Sequence, residues 1–170
     1  MRPESSFEST YRKIQRYRSS EQFKADHGRI HYPRGIHWTC VRCHMCCGDT
    51  RDHVRRIRLL DSEVRVTSQL TGINQERFSV LADGSEPFKF EMLKVTSGSC
   101  IFLEGDSCTI YQARPLTCRF YPFFLERNSN GKLSFGLTSE RCPGLGQGPL
   151  LDRKFFLELF QEASKRLLSK

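Results

Sequence analysis

Hydrophobic residues recur at helical spacing near both ends of the chain. Residues 7–24 place aromatic and aliphatic side chains mostly at helical spacing among arginines and lysines, which predicts an amphipathic helix. Residues 25–38 contain two glycines and a proline and are predicted to form a loop. At the other end, an apolar stripe predicts a helix that begins near Pro149 and runs to the C-terminus. The residues of this stripe are Leu151, Phe155, Leu159, Ala163 and Leu167.

The pattern changes to short strands and turns after the first third of the chain. Residues 51–60 alternate between apolar and polar side chains, as in a half-buried strand. A short helix follows, for which Asp61 or Ser62 is the predicted N-cap and Gly72 the predicted C-cap. The apolar positions of this helix are Val64, Thr67 and Leu70.

Two hairpins are predicted in the second half of the chain. Residues 88–96 and 100–111 have strand-like patterns, and the second segment folds back at Glu104-Gly105-Asp106. Asn130-Gly131 lies between two apolar runs, which is typical of a type I′ hairpin turn. The predicted fold is therefore α+β, with short antiparallel strands and hairpins, an N-terminal helix and a C-terminal amphipathic helix.

A chain of 170 residues is expected to form one domain, since domains have about 100–200 residues. We divide it into an N-terminal helical extension (1–38), a cysteine-cluster core (39–148) and the C-terminal helix (149–170). The hydrophobic residues, which include 13 phenylalanines, supply enough apolar surface for a core. A chain of this size therefore does not need disulfide bonds to stabilise its fold.

The chain is basic, with 27 lysines and arginines against 19 acidic residues and a formal net charge of +8. This balance favours an acidic partner, and the arginine-rich stretch 51–65 points to nucleic acid. The support for nucleic acid is weak, because thiolate ligands would offset part of the positive charge. An unknown protein or redox partner is the other candidate.

The start of the chain has no apolar leader segment, and the longest apolar run, residues 120–125, is far shorter than the roughly 18 residues of a membrane helix. We therefore expect a cytoplasmic protein with no membrane insertion. Thiols stay reduced in the cytoplasm, so clustered cysteines there indicate metal or redox chemistry before they indicate disulfides. The chain has eight cysteines.

Four cysteines lie close together with the spacing C-x2-C-x2-C-C: Cys40, Cys43, Cys46 and Cys47. Two cysteines separated by two residues can bring both thiolates to one metal, and thiolate is a preferred ligand of zinc and of iron–sulfur clusters. Adjacent side chains diverge by about 100° on a helix and face opposite sides of a strand. We therefore expect Cys46 and Cys47 to serve different sites, or one of them to be a spare thiol. A spare Cys47 near Arg51 is the candidate for nucleophilic chemistry.

The second half of the chain supplies Cys100, Cys108, Cys118 and Cys142. The first two bracket the predicted hairpin, whose strands can bring them together. Three nearby cysteines plus a remote Cys-Pro form the ligand plan of a bacterial ferredoxin cluster. This plan is matched in part by Cys40, Cys43, Cys46 and Cys142-Pro143. A zinc ribbon matches less well, because no second C-x2-C pair follows at about 15–20 residues.

Three sequence blocks, in this order, resemble a known family: CVRCHMCC (40–47), CIFLEGDSCTIY (100–111) and RPLTCRFYPF (114–123). They are similar to the YkgJ-type cysteine-cluster family of zinc- or iron-chelating domains, over about residues 40–144. The resemblance implies that all eight cysteines form the metal-binding set. A related cluster occurs in flagellin lysine methylases. The family often has glycine where this chain has His44, and both predicted terminal helices lie outside the match.

Several basic side chains lie close to the cysteines in the sequence. Three arginines could hydrogen-bond thiolates or sulfides and tune a cluster, or could form ion pairs with carboxylates instead. They are Arg114, Arg119 and Arg141. Three histidines flank the first cluster: His37, His44 and His53. Of these, His44 is the best candidate for a ligand.

Three functional hypotheses follow from these observations. The first is a protein that binds an iron–sulfur cluster, such as [4Fe–4S], or zinc through its cysteines and serves in redox or electron transfer. The second is a structural zinc module whose basic surface binds an acidic partner. The third is a metal carrier or an accessory factor for protein modification. No catalytic constellation or nucleotide-binding motif is visible in the sequence, so an enzymatic role as an iron–sulfur oxidoreductase stays open.

Overall fold

The computed structural model describes residues 30–83, 87–127, 132–138 and 142–168. The helix predicted for residues 7–24, the turn Asn130-Gly131 and Arg141 lie outside these residues. The described residues contain three α-helices: α1 (Asp61–Thr71), α2 (Leu116–Phe120) and α3 (Arg153–Leu168). Two short 3-10 helices are Gln75–Arg77 and Tyr111–Ala113.

Short strands make up the rest of the regular structure. In chain order they are β1 (His37–Trp38), β2 (Arg58–Leu59), β3 (Ser79–Leu81), β4 (Phe90–Met92), β5 (Leu103–Glu104), β6 (Ser107–Cys108), β7 (Phe123–Arg127), β8 (Leu133–Leu137) and β9 (Leu145–Leu150). These strands pair in antiparallel fashion. The α+β class is therefore confirmed.

The chain divides into two compact units. The first, which we call the cysteine unit, is Cys40–Arg119 and holds every cysteine except Cys142. The second, which we call the hairpin unit, comprises the described residues 30–39 and 120–168. No helix in the described part of either unit is long and apolar enough to cross a membrane.

The cysteine unit is built on a three-stranded sheet in the order β2-β4-β3. Phe90 of β4 pairs with Leu59 on one side and with Leu81 on the other. The core beside this sheet consists of Ile57, Leu59, Val64, Phe78, Phe90, Met92, Cys100, Phe102 and Ile110. One cysteine thus belongs to the hydrophobic core itself, and Cys47, Cys108 and Cys118 pack against it.

Residues 51–60 do not form the predicted long strand, since only Arg58 and Leu59 pair with β4. The backbone groups of residues 50–55 form local hydrogen bonds instead. Thr50 and His53 exchange backbone hydrogen bonds, and the Arg55 N–H donates to the Asp49 carboxylate at 2.8 Å. Because these groups are satisfied within the turn, the alternating pattern does not continue into a ladder, and Val54 is exposed.

Helix α1 ends at Gly72 as predicted, with a φ of 69° that places this residue in the left-handed region. Its start differs from the prediction, because Leu60 is the N-cap and Asp61 lies in the first turn. The buried Glu63 carboxylate accepts the Leu60 N–H at 3.0 Å and so replaces a capping side chain. Val64 and Thr67 are buried as expected, whereas Leu70 is exposed.

The predicted hairpin within residues 100–111 is confirmed by β5 and β6, which are joined through Gly105-Asp106. The strands around Asn130-Gly131 are also present, since β7 and β8 pair over five residues from Phe123↔Leu137 to Arg127↔Leu133. Strand β3 was not predicted, because its three residues offer no alternating pattern.

The C-terminal helix begins later than predicted. Residues around Pro149 form β9, which pairs with β1 and contains Gly148 at a φ of 76°. Asp152 then accepts the Phe155 N–H at 3.0 Å, and this cap fixes the start of α3 at Arg153. The most buried positions of α3 are Phe156 and Phe160, one position beyond the half-buried Phe155 and Leu159 of the predicted stripe.

Aromatic rings form much of the core of the hairpin unit. Phe156 contacts Phe123 at 5.3 Å and Phe135 at 5.1 Å between ring centroids. Tyr32 stacks on the same ring at 5.1 Å. Edge-to-face and stacked ring pairs add to the energy of apolar burial, so this ring cluster anchors α3 on the hairpin.

Replacing Glu63 with alanine is expected to destabilise the cysteine unit. The Glu63 carboxylate accepts the Leu60 N–H and also the Leu116 N–H, at 2.7 Å, so the change leaves two buried donors without this acceptor. We expect the free energy of unfolding to fall by about 3 kcal/mol. Urea denaturation measures it. The exposed Glu76 provides the control, because Glu76→Ala should change stability by no more than about 0.5 kcal/mol. Equal effects of the two changes would contradict the role of Glu63.

Candidate metal centre

The first cysteine cluster lies on a loop that bends at two left-handed residues. Arg42 and His44 have φ values of 54° and 62°, which side-chain-bearing residues rarely adopt. The Cys47 N–H closes the second bend by donating to the His44 carbonyl at 2.8 Å. The backbone between Cys43 and Cys47 is therefore neither helical nor extended.

This bend brings the adjacent cysteines together, contrary to the prediction that their side chains diverge. The Sγ atoms of Cys46 and Cys47 lie 4.0 Å apart. Two thiolates bound to one zinc ion at about 2.3 Å in a tetrahedral site are about 3.8 Å apart. The pair therefore fits a shared metal, and the spacing rules for helices and strands do not apply to it.

The end of the cysteine loop is tied to the second cysteine block by backbone contacts. The Cys100 N–H donates to the Cys47 carbonyl at 2.6 Å, and Gly48 bridges to Ser99. A Cβ atom at Gly48 would lie 2.9 Å from the Gly98 carbonyl oxygen, so only glycine permits this approach. The hairpin then brings Cys108 close to Cys100, because Cys108 pairs with Leu103, whose N–H donates to the Cys100 carbonyl.

Cys118 comes from the short helix α2, which is fixed at its start. The Leu116 N–H donates to Glu63, and the Thr117 hydroxyl donates to the Arg58 carbonyl at 2.8 Å. The Cys118 N–H donates to the Pro115 carbonyl at 2.9 Å. These contacts attach the Cys118 backbone to α1 and β2, so a rigid part of the cysteine unit positions this thiol.

Five thiols of the cysteine unit lie close enough to influence one another's ionisation, and three of them pack against the core that contains Cys100. Cys46 contacts Cys47 and interacts electrostatically with Cys100, Cys108 and Cys118. The last three interact with one another as well. We call these five residues the thiol cluster. Its sulfur atoms come from the loop of residues 40–47, from the hairpin segment 100–108 and from α2.

The environment of the thiol cluster opposes ionisation of its members. The hydrogen bond with Cys47 and burial raise the pKa of the Cys46 thiol, and burial raises the pKa of Cys108 and Cys118. Burial also raises the pKa of Cys100, from 9.0 to about 11. Several neighbouring thiolates in a half-buried site need a compensating positive charge.

Arg55 supplies positive charge at this site and was not identified from the sequence. Its Nε donates to the Cys46 carbonyl at 3.3 Å and one terminal nitrogen donates to the Thr117 carbonyl at 3.4 Å. The guanidinium group opposes the rise in the pKa of Cys46 and Cys118. The sequence placed this arginine in a stretch considered for an acidic partner, and no local signal distinguishes it from its neighbours.

The predicted arginines differ in their positions. Arg114 lies over the Tyr111 ring at 4.0 Å, and its charge opposes the rise in the pKa of Cys108 that burial causes. Tyr111 in turn hydrogen-bonds Cys40, whose side chain is exposed. Arg119 donates to the backbone carbonyls of Arg114 and Gln112, which is a structural role.

The remaining predicted residues are exposed or belong to the hairpin unit. Cys43 is exposed, and Cys142 is a buried residue of the hairpin unit, where its carbonyl accepts the Leu145 N–H. The ferredoxin-like set that includes Cys142 therefore stays a prediction. His37 contacts the Gly148 carbonyl at 3.1 Å within the hairpin unit, and His53 is exposed.

In the described part of the chain, no three or more Cys, His, Asp or Glu side chains converge with the geometry of a metal site. Among the described residues, the sulfur atoms of Cys46 and Cys47 lie at a separation that suits two ligands of one metal ion. Five neighbouring thiols are soft donors of the kind that zinc and iron–sulfur clusters take. The thiol cluster fits such a group in its chemistry.

Comparison with known proteins agrees with this assignment. A family model named CxxCxxCC, described as "Putative zinc- or iron-chelating domain", matches residues 39–143 and confirms the resemblance of the three cysteine blocks. The uncharacterized protein MJ0661 of Methanocaldococcus jannaschii is 28% identical over 130 residues, which cover 73% of this chain and 68% of that protein. No solved structure matches the chain.

In the reduced, metal-free protein, Cys100 is expected to resist alkylation. Only the thiolate reacts, and a pKa of about 11 in place of 9.0 lowers its fraction at pH 8 by about 100-fold. Its labelling should accelerate as the pH rises towards 11. Exposed Cys40 and Cys43 should be labelled first. Pulsed iodoacetamide labelling with peptide mass spectrometry measures the order, and labelling of Cys100 as fast as Cys43 at pH 8 would contradict it.

Proposed function

Because this chain belongs to the CxxCxxCC family of zinc- or iron-chelating domains, we propose that its cysteines hold an iron–sulfur centre with a redox or electron-transfer role. The proposed metal-binding residues are the eight cysteines, more than the four that one iron–sulfur cluster takes: Cys40, Cys43, Cys46, Cys47, Cys100, Cys108, Cys118 and Cys142. Such a centre needs reduced thiols, so the proposed compartment is the cytoplasm. The observation that supports the proposal best is the thiol cluster around Cys46.

The spacing of the first three cysteines favours an iron–sulfur cluster. Cys40, Cys43 and Cys46 follow the C-x2-C-x2-C spacing of bacterial ferredoxins. One zinc ion and one [4Fe–4S] cluster each take four cysteine ligands, and the thiol cluster has five members. The thiols therefore suffice for either group, and the ferredoxin-like spacing is the reason to prefer iron and sulfide.

The residues of the cysteine unit would hold and tune such a centre. Cys100 and Cys118 are fixed by the hairpin and by α2, whereas the cysteine loop brings Cys46 and Cys47 from the other side. An iron–sulfur cluster, when bound, supplies one-electron redox chemistry. Arg55 would offset the negative charge of the thiolates, and burial would limit access of water.

A zinc centre is the second candidate, and one observation favours it. The 4.0 Å between the Cys46 and Cys47 sulfur atoms is close to the separation that a single tetrahedral zinc ion requires. In that case the cysteine unit would be a structural zinc module without redox chemistry. Metal content decides between the two candidates.

Anaerobically purified protein is expected to contain iron and acid-labile sulfide and to show broad visible absorption. Cys46→Ser removes the central thiol and should abolish most of the bound iron. Met45→Leu is the matched control, because it removes a neighbouring sulfur that is not a thiolate and should retain the iron. Elemental analysis, sulfide assay and EPR spectroscopy provide the measurements. Colourless protein with stoichiometric zinc would refute the iron–sulfur proposal, and protein without either metal would refute chelation.

Arg55→Gln is expected to lower the reduction potential of the iron form. Reduction adds negative charge, and a nearby guanidinium group stabilises the reduced state, so its removal makes reduction less favourable. Arg55→Lys should retain most of the effect of the charge. Arg51→Gln makes the same change in net charge at an exposed position and should leave the potential unchanged. Protein-film voltammetry measures the potentials, and equal shifts for Arg55→Gln and Arg51→Gln would contradict a local role of Arg55.

A further inference from the structure

His44 occupies a strained position inside the cysteine loop. Its φ of 62° lies in the left-handed region, which costs energy for a residue with a side chain, and glycine or asparagine would adopt it more readily. Its carbonyl accepts the Cys47 N–H, so the bend that brings Cys46 and Cys47 together passes through this residue. Strain at a site of this kind calls for a role for the side chain.

The imidazole ring of His44 is largely buried, with 21% of the side chain exposed. Its Nε2 atom is fully enclosed and has no hydrogen-bond partner among the residues that the structure describes. A buried polar nitrogen without a partner is unfavourable, because it has lost its hydrogen bonds to water without forming others. The structure thus contains an enclosed nitrogen in the loop that carries Cys43 and Cys46.

The other ring nitrogen faces a carboxylate. Nδ1 of His44 lies 3.9 Å from Oδ1 of Asp106, which sits in the turn between β5 and β6, two residues before Cys108. The negative charge of Asp106 favours the tautomer that carries its proton on Nδ1. In that tautomer the lone pair is on Nε2. Histidines that bind metals commonly donate the other ring N–H to a carboxylate or to water. At 3.9 Å, Asp106 acts on the ring through its charge rather than through a direct hydrogen bond.

The alternative is that Nε2 donates a hydrogen bond to a thiolate or a sulfide. A neutral imidazole would then carry its proton on Nε2 and present the Nδ1 lone pair to the Asp106 carboxylate. Two electron-rich groups would face each other, which is the less favourable arrangement. The position of Asp106 therefore favours coordination by Nε2 over donation from it.

We infer that Nε2 of His44 is a nitrogen ligand of the metal centre and that Asp106 orients the imidazole ring. This inference rests on the proposed function, since it assumes that the thiol cluster binds metal. It makes the centre a mixed nitrogen and sulfur site. A neutral imidazole in place of a thiolate makes the centre less negative, and in iron–sulfur proteins histidine ligation raises the reduction potential.

X-ray absorption at the metal edge of the full-length, anaerobically purified protein tests the inference. The unmodified protein should show one nitrogen neighbour at about 2.0–2.1 Å beside sulfur neighbours at about 2.3 Å. His44→Asn should lose the nitrogen neighbour and keep the sulfurs, and asparagine also suits the left-handed backbone. His53→Asn is the matched control, because His53 is an exposed histidine of the same unit, and it should leave the spectrum unchanged.

Asp106→Asn gives a second test that does not depend on the folding of the loop, because the Asp106 side chain is fully exposed. Loss of this exposed carboxylate is expected to weaken metal binding by about two- to fivefold in competition with a chelator. A nitrogen neighbour that is lost in His44→Asn, together with this weakening, supports the inference. A sulfur-only shell, or a nitrogen neighbour that persists in His44→Asn, overturns it while the proposed function stands. Protein that binds no metal overturns the proposed function and the inference with it.

Discussion

The hydrogen bond from the Cys100 N–H to the Cys47 carbonyl, at 2.6 Å, joins the two cysteine-bearing parts of the cysteine unit. It fixes the end of the loop that carries Cys46 against the hairpin that carries Cys108. The contact depends on a missing side chain, since any Cβ at Gly48 would collide with the backbone of Gly98. The rest of the thiol cluster is arranged around this junction. The Asp49 N–H, which donates to the Gly98 carbonyl at 3.0 Å, reinforces this junction.

Glu63 fixes the start of α2 through a hydrogen bond from the Leu116 N–H. Its carboxylate accepts one N–H from the start of α1 and one from the start of α2, and thereby brings Cys118 to the same site. A buried carboxylate is costly unless it is well hydrogen-bonded, and here the two backbone donors meet part of that need. The same interaction that caps a helix therefore also positions a thiol. Stability and site geometry are linked in one residue.

The sequence predicted those features that depend on local chemistry. Gly72 ends α1 because the left-handed region suits glycine, and the β5–β6 hairpin follows from Gly105. The resemblance carried by the cysteine blocks led to the family. The starts of two helices were misplaced, although each is set by a contact three residues away. The N-cap of α1 is Leu60, whose N–H donates to Glu63, and Asp152 caps α3 after a strand that has no clear pattern. Contacts between distant residues, such as the Leu116 N–H with Glu63, were not predicted at all.

At the candidate site, too, the sequence indicated local features and missed contacts between distant residues. Spacing alone identified the cysteines, but it gave the wrong geometry for Cys46 and Cys47, because this chain has side-chain-bearing residues, Arg42 and His44, where the backbone is left-handed. The glycine that the family often has at the position of His44 was the one signal of this bend. Arg55 was missed for a related reason. Its contact with Thr117 spans 62 residues, and nothing near Arg55 in the chain indicates it.

The long separations in sequence have a consequence for the order of events during folding. Glu63 meets Leu116 across 53 residues and Arg55 meets Thr117 across 62, so loops of that length must close before Cys118 arrives. Closing such loops costs chain entropy, and contacts of this kind slow folding. The cysteines of residues 40–47 need no such closure, because they are neighbours in the sequence. These thiols are therefore close to one another in the unfolded chain as well, whereas Cys118 joins them only when the long loops have closed.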